Sequence, residues 1–263
     1  MPEGHTIHRI AQDYQKWFSG QKLIVSSPQG RFKEEAKKIR GKQLRDVTAH
    51  GKHLFFHWNR NLFTHIHLGL YGKFRLYENP PPEPRGAVRV RMIGAERAFD
   101  LNGPNCCELI DKRQFEELKS RLGEDPLHDD ASPDIVWQKL HRSRSAIGSL
   151  LLNQSVIAGV GNVYRAEILF LMGIHPQLPA NQIERDTFDE LWELIVELLK
   201  IGVKHKRIIT AGFSADGQIL KRLKPSERLN IYKRTNCPTC ESPVKKWELA
   251  NRKMYACIKC QKL

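Results

Sequence analysis

The first twenty residues follow a helical rhythm. Ile7, Ile10, Ala11, Tyr14, Trp17 and Phe18 recur at three- and four-residue spacing, which predicts one amphipathic helix. The period then changes. "HLFFHW", "LFTHIHL", "KFRLY" and "AVRVRMI" are short runs, broken by Gly, Pro and Asn clusters such as "NPPPEPRG". They predict a sheet-rich region with turns at short intervals. "GEDP" at 123–126 predicts a linker. From about Pro133 to Lys206 the rhythm is helical again, and Phe188, Leu191, Leu194, Ile195, Leu198 and Leu199 make a stripe predicted to be plain core packing. "IGSLLLNQSVIAGVGNVYRAEILFLMG" predicts two helices joined at "AGVGN". A polar, basic segment from Ile208 to Leu229 leads into a cysteine-bearing tail. The elements together predict a mixed α+β chain with no internal repeat.

Charge sharpens this outline. The formal net charge is +14, which points to a polyanionic partner. Residues 201–263 hold fifteen Lys and Arg against four Asp and Glu, so the excess is concentrated where a binding face would need it. No run of apolar residues is long enough to cross a membrane. The first helix is amphipathic rather than a leader-type apolar run, and no basic membrane-surface helix stands out. Nucleic acid is therefore favoured over lipid.

Six cysteines are present. Cys237 and Cys240 form one Cys-x-x-Cys pair, Cys257 and Cys260 another, with sixteen residues between the pairs. Two such turns can aim four thiolates at one point, the closed tetrahedral shell of a structural zinc. Redox dithiols and an iron centre are the lesser alternatives. A module this short gains its folding energy from the metal, on the order of 10 kcal/mol. Lys245, Lys246, Arg252 and Lys253 lie between the pairs, where a hairpin would present them to a phosphate backbone. Cys106 and Cys107 are adjacent and unsuited to pairing with each other. The set fits a reducing compartment better than a disulfide scaffold.

Two smaller signals remain. Gly159 and Gly161 permit a sharp reversal and close backbone approach. The helix that follows would offer free N–H groups to a phosphate, with Asn162 as its cap or a phosphate contact. At the other end of the chain, Pro2 and Glu3 precede the first helix. Read alone, both suit a helix N-terminus as structural punctuation.

Taken together, N-terminal "MPEG", Gly51-Lys52 leading a strand, "QSVIAGVGNVYRAEILFLMGIHP" and the finger closing in "ANRKMYACIKCQ" resemble the formamidopyrimidine-DNA glycosylase and endonuclease VIII family. The match runs from first residue to last, and "GNVYRAEILF" is closer to the endonuclease VIII branch. The resemblance implies a catalytic N-terminal β-sandwich domain with an N-terminal helix (1–122), a helix-two-turn-helix DNA-binding domain (127–228) and a zinc finger (229–263). It also implies a bifunctional glycosylase and abasic-site lyase of base excision repair. Such an enzyme is expected to work as a monomer in a bacterial-type cytoplasm, on the nucleoid, with damaged duplex or single-stranded DNA as partner and one structural Zn²⁺ per chain.

The resemblance assigns roles residue by residue. With Met1 removed, Pro2 is the Schiff-base nucleophile and Glu3 the acid/base. An α-amino group near pKa 7.7–8.0 has an appreciable neutral fraction where a lysine would need strong desolvation. Lys52 binds the phosphate beside the lesion and assists β-elimination. Arg252 acts in δ-elimination, and its high pKa makes it a clamp for the departing phosphate rather than a proton donor. Asn162 binds phosphate. Leu70 and Tyr71 fill the gap left by the extruded base. Two positions depart from the pattern. Thr6, preceded by His5, stands where a second Glu is common, and Asn105, Cys106 and Cys107 replace an Arg-Phe pair that fills the opposite strand. Both lean towards oxidised pyrimidines, single-stranded or abasic substrates. The segment Ile209–Lys221 is expected to contribute to a lesion pocket. A non-catalytic zinc protein on the same scaffold, or an RNA-binding ribbon protein, stays open at this point.

Overall fold

The computed structural model describes residues 2–214 and 217–262, leaving Met1, Ala215, Asp216 and Leu263 outside. The chain divides into two compact units. The first holds residues 2–3 and 7–121, the second residues 4–6 and 122–262.

The first unit starts with helix α1 (Gly4–Phe18), whose stripe Ile7, Ile10, Ala11, Tyr14 and Phe18 is buried. Strand β1 (Ile24–Ser26) and helix α2 (Lys33–Ile39) follow, then strands β2 (Asp46–His50), β3 (His53–Asn59), β4 (Leu62–His67), β5 (Lys73–Glu78), β6 (Val88–Ile93), β7 (Arg97–Asn102) and β8 (Cys106–Asp111), and helix α3 (Lys112–Ser120). They make a β-sandwich of two antiparallel four-stranded sheets, ordered β1-β6-β7-β5 and β2-β3-β4-β8. Strand alternation explains which faces meet. Leu54, Phe56, Trp58 and Ile66 of one sheet share a core with Val90, Met92, Phe99 and Leu101 of the other and with α1. Tyr14 packs on Phe99 at 4.7 Å between ring centroids.

The outer face of the second sheet is divided in two. Phe55, Phe63 and Ile110 are covered by Phe115 and Leu118 of α3. Helix α3 starts in a capping box, Asp111 accepting from the Gln114 N–H at 2.8 Å and Gln114 accepting from the Asp111 N–H at 3.0 Å; the Asp-x-x-Gln signature carries this start. The rest of the face holds imidazoles. Burial, the largest cause, pushes His53, His57, His65 and His67 below the usual histidine range, His53 to about 3. These rings are uncharged at neutral pH, so the contact of His65 Nδ1 with Glu108 at 2.8 Å is a hydrogen bond rather than an ion pair.

The second unit contains helices α4 (Pro133–His141), α5 (Ile147–Leu150), α6 (Asn162–Leu171), α7 (Arg185–His205) and α8 (Gly217–Arg222), then the hairpin strands β9 (Lys245–Leu249) and β10 (Arg252–Ala256). The stripe read on α7 is core, with Phe188, Leu191, Ile195, Leu198 and Leu199 buried. Two expectations change. The helix read before the glycine turn is a single turn, Ile147–Leu150, followed by successive turns, because "NQS" supplies side chains that compete with the helix ladder: Asn153 Oδ1 accepts from the Ser155 N–H at 3.0 Å. The "GEDP" stretch is docked rather than loose. Gly123 donates to Gln154 O at 2.8 Å and Ala158 to Glu124 O at 2.8 Å. A Cβ on Gly123 would lie 2.3 Å from Val156 O, so only glycine allows the approach.

Arg91 and Asp100 face each other across β6 and β7 with a bidentate contact at 2.6 and 2.8 Å, and Asp100 is fully buried. Removing one partner strands the other charge. Asp100→Asn is expected to destabilise the first unit by roughly 3–5 kcal/mol, read by urea denaturation; a loss under 1 kcal/mol contradicts this role.

Candidate DNA-processing site

The cysteine-bearing end is built from two knuckles and a hairpin. Glu241, at φ 59°, closes the first knuckle by donating to Cys237 O at 2.9 Å. In the second, the buried Gln261 accepts from the Cys257 N–H at 2.9 Å and donates to Ile174 O at 2.9 Å. The four sulfurs converge, Cys237 and Cys260 at 3.8 Å and Cys240 and Cys257 at 3.4 Å. A tetrahedral shell with metal–sulfur bonds near 2.3 Å needs sulfur separations of about 3.8 Å, so the donor set fits a metal ion with little adjustment.

Between the knuckles, β9 and β10 pair from Lys245–Ala256 to Leu249–Arg252. The connecting residues, Ala250 and Asn251, both have positive φ, 53° and 57°. Such a turn matches the twist of the strands but strains a non-glycine residue by roughly 1 kcal/mol or more. The strain sits at the tip, directly before the exposed Arg252.

Helix α6 joins that hairpin to the rest of the unit. Gly161 is its N-cap and Asn162 its first residue, so Asn162 is not the cap. The Asn162 side chain donates to Lys253 O at 3.0 Å and accepts from Arg165. Arg165, fully buried, donates to Gly148 O and Leu249 O, both at 3.1 Å. Two residues on, the fully buried Glu167 carboxylate accepts from the backbone N–H of Asn230 (2.7 Å), Ile231 (2.9 Å) and Tyr232 (2.7 Å), and from Thr210 Oγ1 (2.5 Å). It thereby ties Thr210, in the basic segment 208–229, to residues 230–232 just after it. The sequence reading missed Arg165 and Glu167. The available signal was two ionisable residues inside an otherwise apolar helix, where burial requires partners.

The first turn of α1 belongs to this same unit. Gly4 donates to Gly159 O at 2.9 Å, and a Cβ on Gly4 would lie 2.8 Å from Gly159 Cα. His5 packs edge-on against Tyr164, 5.4 Å between centroids. The glycine turn is thus a seat for the residues that directly follow Pro2 and Glu3. Glu3 is the N-cap of α1, yet its side chain makes no cap hydrogen bond and is fully buried. Helix punctuation does not account for it.

The remaining sequence-derived residues lie on turns of the first unit. Lys52 is half-buried in the two-residue turn between the paired His50 and His53, where Gly51 has φ 56°. Leu70 and Tyr71 lie in the turn after β4, 53% and 84% exposed. That turn is tight: Gly72 donates to Leu68 O at 3.0 Å and Asn105 to the same oxygen at 3.3 Å, so the two large side chains are left outward. Of the segment expected to line a lesion pocket, Ala215 and Asp216 lie outside the described residues.

Comparison with known proteins adds identity to this geometry. Residues 1–118 match the model of the formamidopyrimidine-DNA glycosylase N-terminal domain, and residues 122–214 that of the formamidopyrimidine-DNA glycosylase H2TH domain. "Endonuclease 8 1" of Mycobacterium bovis is 43% identical over 267 residues, covering 99% of this chain and all of that one. The formamidopyrimidine-DNA glycosylase of Lactococcus lactis is 28% identical over 273 residues, covering 99% of both. Solved structures of the Lactococcus lactis protein with DNA carrying an N7-benzyl-Fapy-dG lesion, or an abasic site, superpose with a TM-score of 0.82 at 26% identity over 99–100% of this chain and all of theirs.

Glu167 can be tested apart from any chemistry. Glu167→Gln places an amide donor against backbone donors and is expected to cost roughly 3 kcal/mol. Amide exchange at residues 230–232 should accelerate by at least tenfold while the first unit keeps its protection. Unchanged exchange would remove the carboxylate from the scaffold.

Proposed function

The chain belongs to the formamidopyrimidine-DNA glycosylase and endonuclease VIII family of base-excision-repair DNA glycosylases, and from that premise we propose that it is bifunctional, excising oxidised pyrimidines and cleaving the resulting abasic strand. The observation that carries the reading is the fully buried Glu3 carboxylate, one residue from Pro2 and set on a turn that Gly4 anchors to Gly159. A carboxylate held out of water beside an imino group is suited to proton transfer rather than to solubility.

In the proposed reaction the Pro2 nitrogen, freed by loss of Met1, attacks C1′ of the lesion. The C1′–N bond to the base breaks, and the base leaves with a proton supplied through Glu3. As the attached Pro2 nitrogen gives up its proton, the C1′–O4′ bond opens, O4′ takes a proton, and nitrogen and C1′ form an iminium, an electron sink that acidifies the C2′ hydrogen. Loss of that proton expels the 3′-phosphate by β-elimination. Lys52, at its hairpin turn, balances the charge on the phosphate beside the lesion. A second elimination releases the 5′-phosphate, and Arg252 at the tip of the finger neutralises it as it departs. Asn162 supports phosphate binding through its remaining amide hydrogen while its other contacts brace β10. Leu70 and Tyr71 occupy the gap left by the extruded base, which their outward exposure supports.

The metal proposed for the four cysteines is a structural zinc. Cys237, Cys240, Cys257 and Cys260 would fill all four positions with sulfur, so such an ion would hold the hairpin in place rather than take part in the reaction. The pyrimidine preference rests on Thr6 in place of a second carboxylate and on the replacement of the Arg-Phe pair.

Borohydride trapping on a defined panel of lesions, in single- and double-stranded oligonucleotides, tests the reading. The wild-type protein should form a covalent adduct with abasic and oxidised-pyrimidine DNA, with intact mass confirming loss of Met1. Pro2→Gly should reduce the adduct at least 100-fold without changing the melting temperature. Retained Met1, or undiminished trapping in the variant, would refute Pro2 as nucleophile. Separately, Cys237→Ser is expected to lose protection across residues 237–260 and to weaken binding of abasic duplex at least tenfold. Normal binding by this variant would sever the finger from DNA recognition.

A further inference from the structure

The outer face of the β2-β3-β4-β8 sheet carries a constellation that the glycosylase chemistry leaves unused. Register places His67 opposite Cys106, and His65 opposite Glu108, on β4 and β8. Side chains two residues apart on one strand share a face, so His65, Cys106 and Glu108 point to the same side, beside the patch covered by α3. His65 Nδ1 lies 2.8 Å from Glu108 Oε1 and 3.7 Å from Cys106 Sγ. All three ligand atoms fall within 4.8 Å of one another. The Glu108 side chain is 52% exposed while His65 is buried, so the constellation opens to solvent on its carboxylate side.

We propose that His65, Cys106 and Glu108 form a second metal site in this chain, for a divalent ion of the zinc class and independent of the four-cysteine cluster. The donor set decides the class. One imidazole, one thiolate and one carboxylate suit zinc and cobalt(II); magnesium and calcium require oxygen ligands throughout. Three protein ligands leave the fourth position of a tetrahedral ion to water.

The neighbouring residues suit this role. His65 Nε2 lies 2.9 Å from His53 Nδ1, and the two rings are nearly parallel at 17°. In the metal-free state His65 Nδ1–H donates to Glu108 and His65 Nε2 accepts from His53 Nδ1–H. On binding, His65 moves its proton to Nε2 and donates to His53 Nδ1, while the His53 proton passes to its own Nε2. The imidazoles exchange tautomers without net gain or loss of a proton. The Cys106 thiol loses one proton to solvent as the metal–sulfur bond forms. A ring partner that fixes the ligand tautomer is a regular companion of metal-binding histidine. Cys107, the next residue, cannot substitute, because its side chain faces the opposite side and packs against the sandwich core.

The site reaches beyond its ligands through the chain. Cys106 directly follows the Gly103–Asn105 turn, and Asn105 packs against Gly69, where a Cβ would come within 2.7 Å of it. Gly69 precedes the exposed Leu70 and Tyr71. An ion at Cys106 would therefore restrain the turn on which the wedge loop rests.

Cobalt(II) is the probe, added to purified full-length protein whose cysteine cluster retains zinc as verified by elemental analysis. The wild type should bind one further equivalent and show a thiolate-to-cobalt charge-transfer absorption. Cys106→Ser should lose that absorption, Cys107→Ser should keep it, and Glu108→Gln, at an exposed position, should weaken binding at least tenfold. Melting temperatures within about 2 °C of wild type in the Cys106 and Glu108 variants exclude unfolding as the cause. Binding confined to displacement of zinc from the finger, or equal absorption in wild type and Cys106→Ser, would overturn the site.

Discussion

A single carboxylate in a single helix holds much of the second unit together. Glu167 accepts four backbone or hydroxyl hydrogen bonds from Thr210, Asn230, Ile231 and Tyr232, in a segment with only short helices of its own. Without that carboxylate those N–H groups would be buried and unsatisfied, at about 1–3 kcal/mol each. Arg165 performs the complementary task two residues earlier, donating to the carbonyls of Gly148 and Leu249. Asn162 completes the series at Lys253. Helix α6 is therefore a polar spine within an apolar core: Asn162 and Arg165 reach the finger hairpin, Arg165 also reaches α5, and Glu167 reaches the segment around Thr210 and residues 230–232. The basic segment and the finger hairpin keep their shapes because this helix supplies the partners they lack.

That arrangement explains which parts of the fold the sequence made legible. Period and punctuation located α1, α7, the strands β3 to β6 and the cysteine hairpin, because in each the burial pattern is carried by local spacing. Helix α3 was missed because its burial is one-sided and shallow, with no residue fully buried; only the Asp-x-x-Gln cap announces it. The helix before the glycine turn was overextended because its apolar residues continue into turns, where Asn153 and Gln154 divert the backbone. "GEDP" has linker composition, yet it lies against Val156 and Ile157, a contact that no local rule contains.

The candidate site shows the same division. The four cysteines were legible from spacing, since two knuckles and one ion allow few geometries. The buried state of Glu3 was not. Read alone, a Pro-Glu pair before a helix is ordinary punctuation; the resemblance gave it a role, but only the structure places the carboxylate out of solvent with no cap hydrogen bond from its side chain. Gly159 likewise reads as a turn former, whereas its close contact with Gly4 makes it a seat for the amino end of α1. A side chain on Gly4 would collide with the Gly159 backbone and push that end away.

The replacement of Arg-Phe by Asn105-Cys106-Cys107 gains a physical meaning from strand register. A long guanidinium and an aromatic ring at the end of a turn can extend into a duplex. Here the corresponding residues are short and already committed. Asn105 closes against Gly69 and donates to Leu68 O. Cys106 turns to the imidazole face and Cys107 to the core. The turn therefore presents short, committed side chains where the resemblance places an Arg-Phe pair, and under the proposed function this weakens discrimination of the opposite base. The neighbouring turn keeps Leu70 and Tyr71 outward, and an aromatic ring such as that of Tyr71 can stack on any base without reading its identity. Under the proposed function, filling the gap in this way would suit lesions whose opposite base varies. This constraint supports oxidised pyrimidines and abasic sites over a purine lesion defined by its partner.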